Sequence, residues 1–271
     1  MPELPEVETT KRGIEPHIVK KKINSVYIGQ HDLRIKFNES QKNKILNTEI
    51  IGVRRKAKYI LIDFANKHSL LIHLGMTGNL RISDTFTLGK HDHMAFSLSS
   101  EKHLIFNDVR RFGLVLILKE GEKIKLLENN GPDPFERNAN HEYFHKKIYK
   151  SKSTIKSILL NSKIISGIGN IYACEILFAS KISPLKIGSS VNQNECKTIL
   201  KNSKKILKKA INAGGTTLND YLNAEAKPGY FKIHLNVYGR EGKDCRKCAQ
   251  KIKRIVQNGR STFFCSKCQL K

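Results

Sequence analysis

The hydrophobic pattern of this 271-residue chain changes its period at Gly131-Pro132-Asp133-Pro134. Before this break, short β-rich runs alternate with polar turns, and after it apolar residues recur at helical spacing. Two prolines and a glycine within four residues interrupt any regular element. The sequence therefore predicts an α+β chain in which a mostly β region precedes a helical one.

The region before the break contains one predicted helix, from about Pro5 to Ile18, followed by a series of short strands. The strands are predicted at Ile23–Ile28, Leu33–Phe37, Lys58–Phe64, Ser69–Leu74, His93–Leu98, Leu104–Asn107 and Leu114–Leu118. Many short strands separated by turns are typical of an antiparallel sandwich or barrel.

After the break, helices are predicted at Thr154–Leu160, at Asn170–Ala179 and from about Asn192 to Ala213. The last of these has an apolar stripe on one side and lysines on the other, and Gly214-Gly215 ends it. The segment Thr216–Gly229 has no clear period, which predicts a loop.

The last 27 residues contain two C-x₂-C pairs, separated by sixteen residues. The four cysteines are Cys245, Cys248, Cys265 and Cys268. Two residues between thiolates let one turn place both sulfurs on one ion, and two such turns complete a closed, tetrahedral zinc site. Such a site has no open position for water, so the zinc would be structural. The alternative is a pair of redox dithiols. Ile252–Phe264, with Asn258-Gly259 inside it, predicts a β-hairpin.

The charge of the chain points to a polyanionic partner. Lys and Arg number 49 and Asp and Glu 24, which gives a formal charge of +25. The longest aliphatic run, Leu114–Leu118, is far shorter than the roughly 20 residues of a membrane span. The N-terminus has no features of a secretory signal, so we expect a cytoplasmic protein. A rigid basic hairpin without an amphipathic helical face favours nucleic acid over a membrane.

The chain begins Met1-Pro2-Glu3, and removal of the methionine would expose a secondary amine on Pro2. An α-amino group has a reference pKa near 8, so it can act as a free nucleophile near neutral pH. Amines attack carbonyl carbons to give iminium ions, and Glu3 could move protons beside it. From these residues alone, an ordinary terminus remains the alternative.

The start MPELPEVE, the central SGIGNIYACEILF and the end C-x₂-C…NGRSTFFC-x₂-C together resemble the formamidopyrimidine-DNA glycosylase family. The resemblance covers the whole chain. It implies a bacterial, bifunctional DNA glycosylase and AP lyase that removes oxidised purines, chiefly 8-oxoguanine and formamidopyrimidines, from double-stranded DNA. Its implied partner is duplex DNA containing oxidised bases or abasic sites, its implied cofactor is one structural zinc ion with no redox cofactor, and we expect a monomer.

The resemblance also implies an order of domains. A catalytic β-sandwich domain with an N-terminal helix would occupy residues 1–131, and a linker residues 132–150. A helix-two-turn-helix domain with a lesion loop would occupy 151–235, and a Cys₄ zinc-finger hairpin 236–271. No contact to the flipped base is carried over for the loop at 216–230.

By resemblance, the catalytic residues are Pro2, Glu3, Lys58 and Arg260. Pro2 would attack C1′ of the damaged nucleotide to form a Schiff base, and Glu3 would protonate the opening sugar. Successive β- and δ-eliminations would then cut both flanking phosphates. Lys58 would contact phosphate at the lesion, and Arg260 would hold a phosphate from the hairpin turn, where a guanidinium can form a forked contact.

Three further residues resemble the family's contacts to the DNA strand. His73 and Asn170 match phosphate contacts, and Lys156 matches a lysine implicated in damage recognition. Asn170 also has a physical reason of its own, because it opens a helix after a Gly-x-Gly turn, where backbone N–H groups favour an anion. From the residues alone, a buried structural histidine and a solvated lysine remain alternatives for His73 and Lys156.

Met76, Arg110 and Phe112 match the residues that fill the gap left by a flipped nucleotide. An apolar wedge and an arginine that can bind a base edge suit this task. Core packing is the alternative for Met76 and Phe112. The run Arg54-Arg55-Lys56 is interpreted as a solvated stretch of charge.

Two other functions compete with this interpretation. The first is an endonuclease VIII-like glycosylase for oxidised pyrimidines, a group that typically begins Pro-Glu-Gly-Pro, whereas Leu4 stands at the third mature position here. The second is a non-catalytic zinc protein that binds DNA. His91 and His93 are interpreted as structural, and Cys174 and Cys196 as core thiols.

Overall fold

The computed structural model describes residues 2–216 and 231–269. The chain divides into two compact units, one of Met1–Ile124 and Ile211–Lys232, the other of Lys125–Ala210 and Ile233–Lys271. Among the described residues, no helix is long and apolar enough to cross a bilayer.

The first unit begins with helix α1 (Leu4–Ile18), which confirms the predicted N-terminal helix. Glu3 is its N-cap, and Pro5 lies in the first turn, where a missing N–H costs no intrahelical hydrogen bond. The apolar residues at helical spacing are all buried: Leu4, Val7, Ile14 and Ile18.

Within the described part of this unit, a short helix, α2 (Glu39–Asn43), and eight strands follow α1. The strands are β1 (Ile23–Ile28), β2 (Ile50–Lys56), β3 (Tyr59–Phe64), β4 (His68–His73), β5 (Asn79–Ser83), β6 (Asp92–Leu98), β7 (His103–Asn107) and β8 (Leu114–Lys119). They form two antiparallel sheets, with the strand orders β1-β6-β7-β5 and β2-β3-β4-β8. Buried side chains of both sheets and of α1 share one apolar cluster. The predicted antiparallel sandwich is therefore confirmed.

The segment Leu33–Phe37 is not a strand, so that prediction is wrong. Leu33 and Phe37 are buried, but the backbone N–H of Arg34 donates to the carbonyl of Gly113 at 3.1 Å instead of to a neighbouring strand. The alternating apolar residues anchor an irregular segment at two points.

The sequence pattern also misses β2 and β5. In β2 only Ile50 and Val53 are buried, and in β5 only Leu80. Strands at which most side chains reach solvent carry too few apolar residues to be recognised from their period.

The second unit contains helices α3 (Lys125–Glu128), α4 (His141–Ile148), α5 (Ile155–Leu159), α6 (Asn170–Ser180) and α7 (Gln193–Asn212), with a 3₁₀ turn at Gly188–Ser190. Another 3₁₀ turn follows at Phe231–His234. The three predicted helices are confirmed as α5, α6 and α7. The unpredicted α4 is capped by Asn140, whose Oδ1 accepts from the N–H of Tyr143 at 2.8 Å.

The C-terminal hairpin consists of β9 (Lys253–Gln257) and β10 (Arg260–Phe264), as predicted. Its two turn residues, Asn258 and Gly259, have φ of +49° and +71°. Two successive positive φ angles define the turn type that matches the twist of a hairpin, and Asn-Gly is the pair that adopts it most readily.

Candidate functional site

The N-terminal residues Pro2 and Glu3 are buried at the start of α1, and Glu3 is only 1% exposed. Glu3 and Glu6 form a capping box, in which the backbone N–H of Glu3 donates to Oε2 of Glu6 at 2.8 Å. This contact fixes the direction in which the chain enters the helix. The predicted nucleophile and its neighbouring carboxyl group are therefore held on a rigid element.

Glu6 also binds the point at which the predicted lesion loop begins. Its Oε1 accepts from the buried backbone N–H of Thr216 at 2.8 Å. The N–H of Phe231 donates to the carbonyl of Gly215 at 3.0 Å, so the two ends of segment 217–230 meet beside the start of α1. The predicted loop itself lies outside the described residues. Nothing in the sequence pattern distinguished Glu6, because its partner is 210 residues away.

The three predicted gap-filling residues lie on two turns of the same unit and all reach solvent. Met76 is 38% exposed and Phe112 46% exposed, so the alternative of core packing is wrong for both. The guanidinium of Arg110 lies 4.6 Å from the ring centroid of Phe112. A thioether, an aromatic ring and a guanidinium are thus presented together, although large apolar side chains are usually buried.

A buried carboxylate, Asp108, ties these two turns together. It is 0% exposed; Oδ1 accepts from Oγ1 of Thr77 at 2.5 Å and Oδ2 from the N–H of Gly113 at 2.7 Å. The N–H of Arg110 in turn donates to Oγ1 of Thr77 at 3.1 Å. Asp108 therefore fixes the backbone on both sides of the exposed wedge, a role that the sequence analysis did not assign.

Gly75 lets the two turns approach closely. Its φ is +63°, a conformation that side-chain-bearing residues rarely adopt. A Cβ at this position would lie 2.5 Å from the backbone nitrogen of Gly113. The glycine is thus required both by its own backbone angle and by its neighbour.

His73 ends β4 opposite Tyr59 of β3, with their rings 4.8 Å apart, and the pKa of His73 is lowered to about 4. The main cause is burial, followed by the positive charges of Arg34 and Lys58. The N–H of Gly75 donates to Nδ1 of His73 at 3.0 Å. The neutral ring consequently carries its proton on Nε2, which can donate to an acceptor.

Arg34 is a basic residue of this cluster that the sequence analysis missed. Its guanidinium hydrogen-bonds the hydroxyl of Tyr59, and its charge acts on His73. The signal available in the sequence was an arginine placed between the apolar residues Leu33 and Phe37. The part-buried Lys58 also acts on His73, so Arg34, Lys58 and His73 form one cluster that can interact with an anion.

In the second unit, the predicted DNA-contacting residues meet at the start of β10. Lys156 on α5 is 1% exposed, and its Nζ donates to Oγ1 of Thr262 at 2.7 Å and to the carbonyl of Ser261 at 3.1 Å. Nδ2 of Asn170, the first residue of α6, donates to the same carbonyl at 2.9 Å. Both residues therefore hold β10 next to the exposed Arg260, and the alternative of a solvated Lys156 is wrong.

A buried carboxylate on α6 also anchors the approach to the hairpin. Glu175 is 3% exposed and accepts three backbone N–H groups, from Asn236, Val237 and Tyr238, at 2.8–3.0 Å. Three converging N–H groups satisfy a buried carboxylate without a cation. Glu175 lies within the predicted helix at Asn170–Ala179, but the local sequence gives no sign of its role, because its partners lie about 60 residues ahead.

The four predicted metal ligands converge. Their sulfur atoms all lie within 4.8 Å of one another, with Cys245–Cys268 at 3.9 Å and Cys248–Cys265 at 3.4 Å. Four thiolates about 2.3 Å from a tetrahedral ion would be about 3.8 Å apart. The closest described sulfur distances are much longer than the roughly 2.05 Å of a disulfide. The donor set therefore fits one tetrahedral zinc ion.

The interpretation of Arg54-Arg55-Lys56 as solvated charge is wrong for Arg55. Its side chain is 10% exposed, and Nε donates to Oε2 of Glu8 on α1 at 2.8 Å. Arg54, by contrast, is 60% exposed. Successive side chains on a strand point to opposite faces, so Arg55 faces inward while its neighbour Arg54 faces solvent.

The interpretation of His93 as structural is confirmed. The ring is 5% exposed, and its Nε2 lies 2.9 Å from the carbonyl of Asp108. Cys174 and Cys196 are buried, as expected of core thiols, and burial raises the pKa of Cys196 to about 12. Across the described ranges, the only cluster that could hold a metal is the cysteine set.

Comparison with known proteins identifies relatives over the whole chain. Residues 1–115 match the formamidopyrimidine-DNA glycosylase N-terminal domain, 130–221 the H2TH domain of that glycosylase, and 242–270 a zinc finger found in FPG and IleRS. A formamidopyrimidine-DNA glycosylase of Rickettsia africae is 44% identical over 271 residues, which covers 99% of each chain.

Two solved structures of the Lactococcus lactis protein are also similar. A point mutant of that FPG in complex with Fapy-dG-containing DNA has a TM-score of 0.92 at 33% identity, and wild-type FPG with DNA containing an oxidised pyrimidine has 0.91 at 32%. Each covers 100% of both chains.

Proposed function

The chain belongs to the formamidopyrimidine-DNA glycosylase family of base-excision repair enzymes, and from this premise we propose that it excises oxidised purines through a Schiff base on Pro2 and then cuts the strand by β,δ-elimination. The observation that carries the proposal is the burial of Pro2 and Glu3 at the capped start of α1. A nucleophile needs such fixed orientation toward the reacting carbon.

The chemistry requires removal of Met1, which frees the secondary amine of Pro2. The amine attacks C1′, and the base leaves with the electron pair of its bond to C1′ and takes up a proton. The Pro2 nitrogen loses its proton, and its lone pair forms the C=N bond as the C1′–O4′ bond breaks and Glu3 delivers a proton to O4′. The resulting iminium ion withdraws electrons from C2′, so a proton leaves C2′ and the 3′ phosphate departs. A second elimination expels the 5′ phosphate, and water releases Pro2 from the sugar fragment.

Phosphate binding is assigned to residues of both units. In the first, Lys58 and Arg34 supply positive charge and neutral His73 donates from Nε2. In the second, Arg260 forms the contact, while Lys156 and Asn170 hold the strand that carries it. The side chain of Arg260 has no hydrogen bond or ion pair within the described part of the chain, so its guanidinium is available.

Met76, Arg110 and Phe112 fill the gap that a flipped nucleotide leaves. Inserting side chains offset part of the cost of unstacking the target base. The guanidinium of Arg110 can bind the edge of the orphaned base, and its contact with Phe112 restricts its orientation. Asp108 keeps the wedge from collapsing onto the surface.

We also propose that Cys245, Cys248, Cys265 and Cys268 hold one zinc ion whose role is structural. The ion would stabilise a hairpin that is too small to fold alone. All four coordination positions are filled by sulfur, so this ion supplies no water for hydrolysis. We further propose that the protein acts as a monomer on the bacterial nucleoid, which light scattering of the free protein tests.

The test is trapping with borohydride. The purified protein is mixed with a duplex carrying one 8-oxoguanine opposite cytosine, the imine is reduced, and the crosslinked peptide is identified by mass spectrometry. A covalent adduct on Pro2 is expected. Strong binding without an adduct on this duplex, but with one on an oxidised pyrimidine, would shift the function to the endonuclease VIII type. The Lactococcus lactis complex makes the second duplex a necessary comparison.

The control for trapping is a chain in which Met1 is retained because a bulky residue replaces Pro2, such as Pro2→Leu. It should bind the duplex and yield no adduct. An adduct on a lysine in this variant would contradict the assignment of Pro2, and binding without any adduct in either protein would favour a non-catalytic zinc protein.

A further inference from the structure

Helix α7 exposes a dense row of lysines. The stretch from Lys197 to Lys209 contains six lysines and no acidic residue, against a chain-wide ratio of 49 basic to 24 acidic residues. All six are exposed: Lys197, Lys201, Lys204, Lys205, Lys208 and Lys209. We call this set the α7 lysine face.

The lysines share one side of the helix. At 3.6 residues per turn they fall within an arc of about 140°, over a length of about 18 Å. The buried residues of the same stretch lie on the opposite side: Ile199, Leu200, Ser203 and Leu207. The positive charge therefore forms a continuous surface and is not scattered around the helix.

The charges of this face have no counter-charge within the described residues. None of the six lysines forms an ion pair there, and the acid nearest in sequence, Glu195, is paired with Lys186 at 2.7 Å. On α1, by contrast, Lys11 pairs with Glu15 and Arg12 with Glu8. A chain that was merely rich in lysine would be expected to use such pairs on both helices.

Lysines four residues apart on a helix repel each other. The face contains four such pairs: Lys197–Lys201, Lys201–Lys205, Lys204–Lys208 and Lys205–Lys209. A polyanion that lies along the helix removes this repulsion, and a row of ammonium groups matches the regular negative charge of a phosphate backbone.

We propose that the α7 lysine face binds the phosphate backbone of double-stranded DNA through residues other than those assigned to the lesion. It would raise affinity for undamaged duplex and keep the enzyme on DNA during its search. A membrane surface is disfavoured, because the apolar side of α7 is already buried and cannot enter lipid. This inference rests on the proposed action on duplex DNA.

The test replaces four central lysines by glutamine, in K201Q/K204Q/K205Q/K208Q. Glutamine is about as favourable in a helix as lysine, so the fold should be retained. The matched control removes the same charge from exposed lysines outside α7, in K44Q/K90Q/K119Q/K123Q. A third variant carries arginine at the four α7 positions and retains the charge.

Binding to an undamaged duplex is measured by fluorescence anisotropy over a range of salt concentrations. The α7 glutamine variant should bind at least about 10-fold more weakly at low salt, and the slope of log K against log [salt] should fall by about 2 or more, since each lost phosphate contact removes about 0.9. The arginine variant should match the wild type. Equal losses of affinity in the α7 and control variants would show that only the net charge of the protein matters, and would overturn the proposal. Unchanged affinity in the α7 glutamine variant would also overturn it.

Single-turnover excision at saturating enzyme separates the two proposals. The α7 glutamine variant should excise the lesion at the wild-type rate. If excision is absent from the wild type while the α7 effect on duplex binding persists, the catalytic assignment fails and the second DNA surface stands. If excision in the variant falls as much as binding does, the face belongs to the lesion site and the proposal of a separate surface is wrong.

Discussion

The start of α1 and the C-terminal hairpin both present residues assigned to DNA, but they are positioned by different means. Pro2 and Glu3 extend from a 15-residue helix that packs on the sandwich core. Arg260 stands on a two-stranded hairpin, a structure that is marginal by itself. The position of this hairpin depends on hydrogen bonds from Lys156 and Asn170 to the carbonyl of Ser261, and on the cysteine cluster.

This difference predicts that chemistry and binding can be lost separately. The proposed nucleophile, Pro2, is fixed by a large apolar core, which a few local changes will not disturb. The hairpin is fixed by polar contacts and a proposed metal ion, each of which can be removed singly. Perturbing the first region should therefore affect the rate of excision, and perturbing the second should affect affinity.

The largest effect is expected for Pro2→Gly. The glycine amine lacks the ring that fixes the orientation of the proline nitrogen, so single-turnover excision should slow by about 10³-fold, the scale at which loss of a covalent catalyst acts. Affinity for a duplex with a stable abasic-site analogue should stay within about 3-fold of the wild type. Equal losses in rate and affinity would show that the start of α1 also serves binding, and would contradict the distinction between α1 and the hairpin.

Removal of zinc should have the second-largest effect, and on the opposite quantity. Stripping the ion with a chelator should weaken binding to the abasic-site duplex by about 100-fold, or about 2.7 kcal/mol, because Arg260 loses its support. The measurement is a titration at fixed salt before and after zinc is restored. Unchanged affinity in the metal-free protein would contradict the dependence of the hairpin on the ion.

Asp108→Asn should have an intermediate effect within the first region. The asparagine amide offers one acceptor oxygen where the carboxylate offers two, so either the N–H of Gly113 or the O–H of Thr77 loses its acceptor, at a cost of about 1–3 kcal/mol for a buried donor. We expect kcat/KM for 8-oxoguanine opposite cytosine to fall by about 10-fold, because the wedge residues lose their fixed backbone. The control is Asp63→Asn, which removes the negative charge that pairs with the exposed Arg54 on β2. An equal loss in the control would deny Asp108 a specific positioning role.

The same contrast explains how much the sequence could predict. Elements with their own local signal were found: the helix period of α7, the Asn-Gly turn at 258–259 and the spacing of the cysteines. The interactions that position the site were not, because their partners are remote. Glu6 binds Thr216, and Glu175 binds the backbone at 236–238.

Side-chain environment was harder to predict than identity. Lys156 was assigned correctly to a helix, yet it is buried, since Thr262 and the Ser261 carbonyl accept its ammonium group. Arg55 was expected in solvent and is paired with Glu8, 47 residues away. A charged residue is buried only where the tertiary fold supplies its partner, and the local sequence does not contain that information.

The last prediction concerns His73 and the pH dependence of the unfolding free energy, not excision or DNA affinity. Its folded pKa of about 4 lies below the ordinary value of 6.5, so between these values the unfolded chain binds more protons than the folded one. The stability of the fold therefore rises with pH in this window and is lost as the pH falls from 6.5 toward 4, by up to about 3 kcal/mol.

His73→Asn keeps an acceptor for the N–H of Gly75 and removes the titration, so its unfolding free energy should depend less on pH between 4 and 6.5. Urea unfolding at several pH values measures this, with His31→Asn, at an exposed histidine, as the control. If the pH dependence of the His73 variant equals that of the wild type, burial and the charges of Arg34 and Lys58 do not lower the pKa of this ring as the structure indicates.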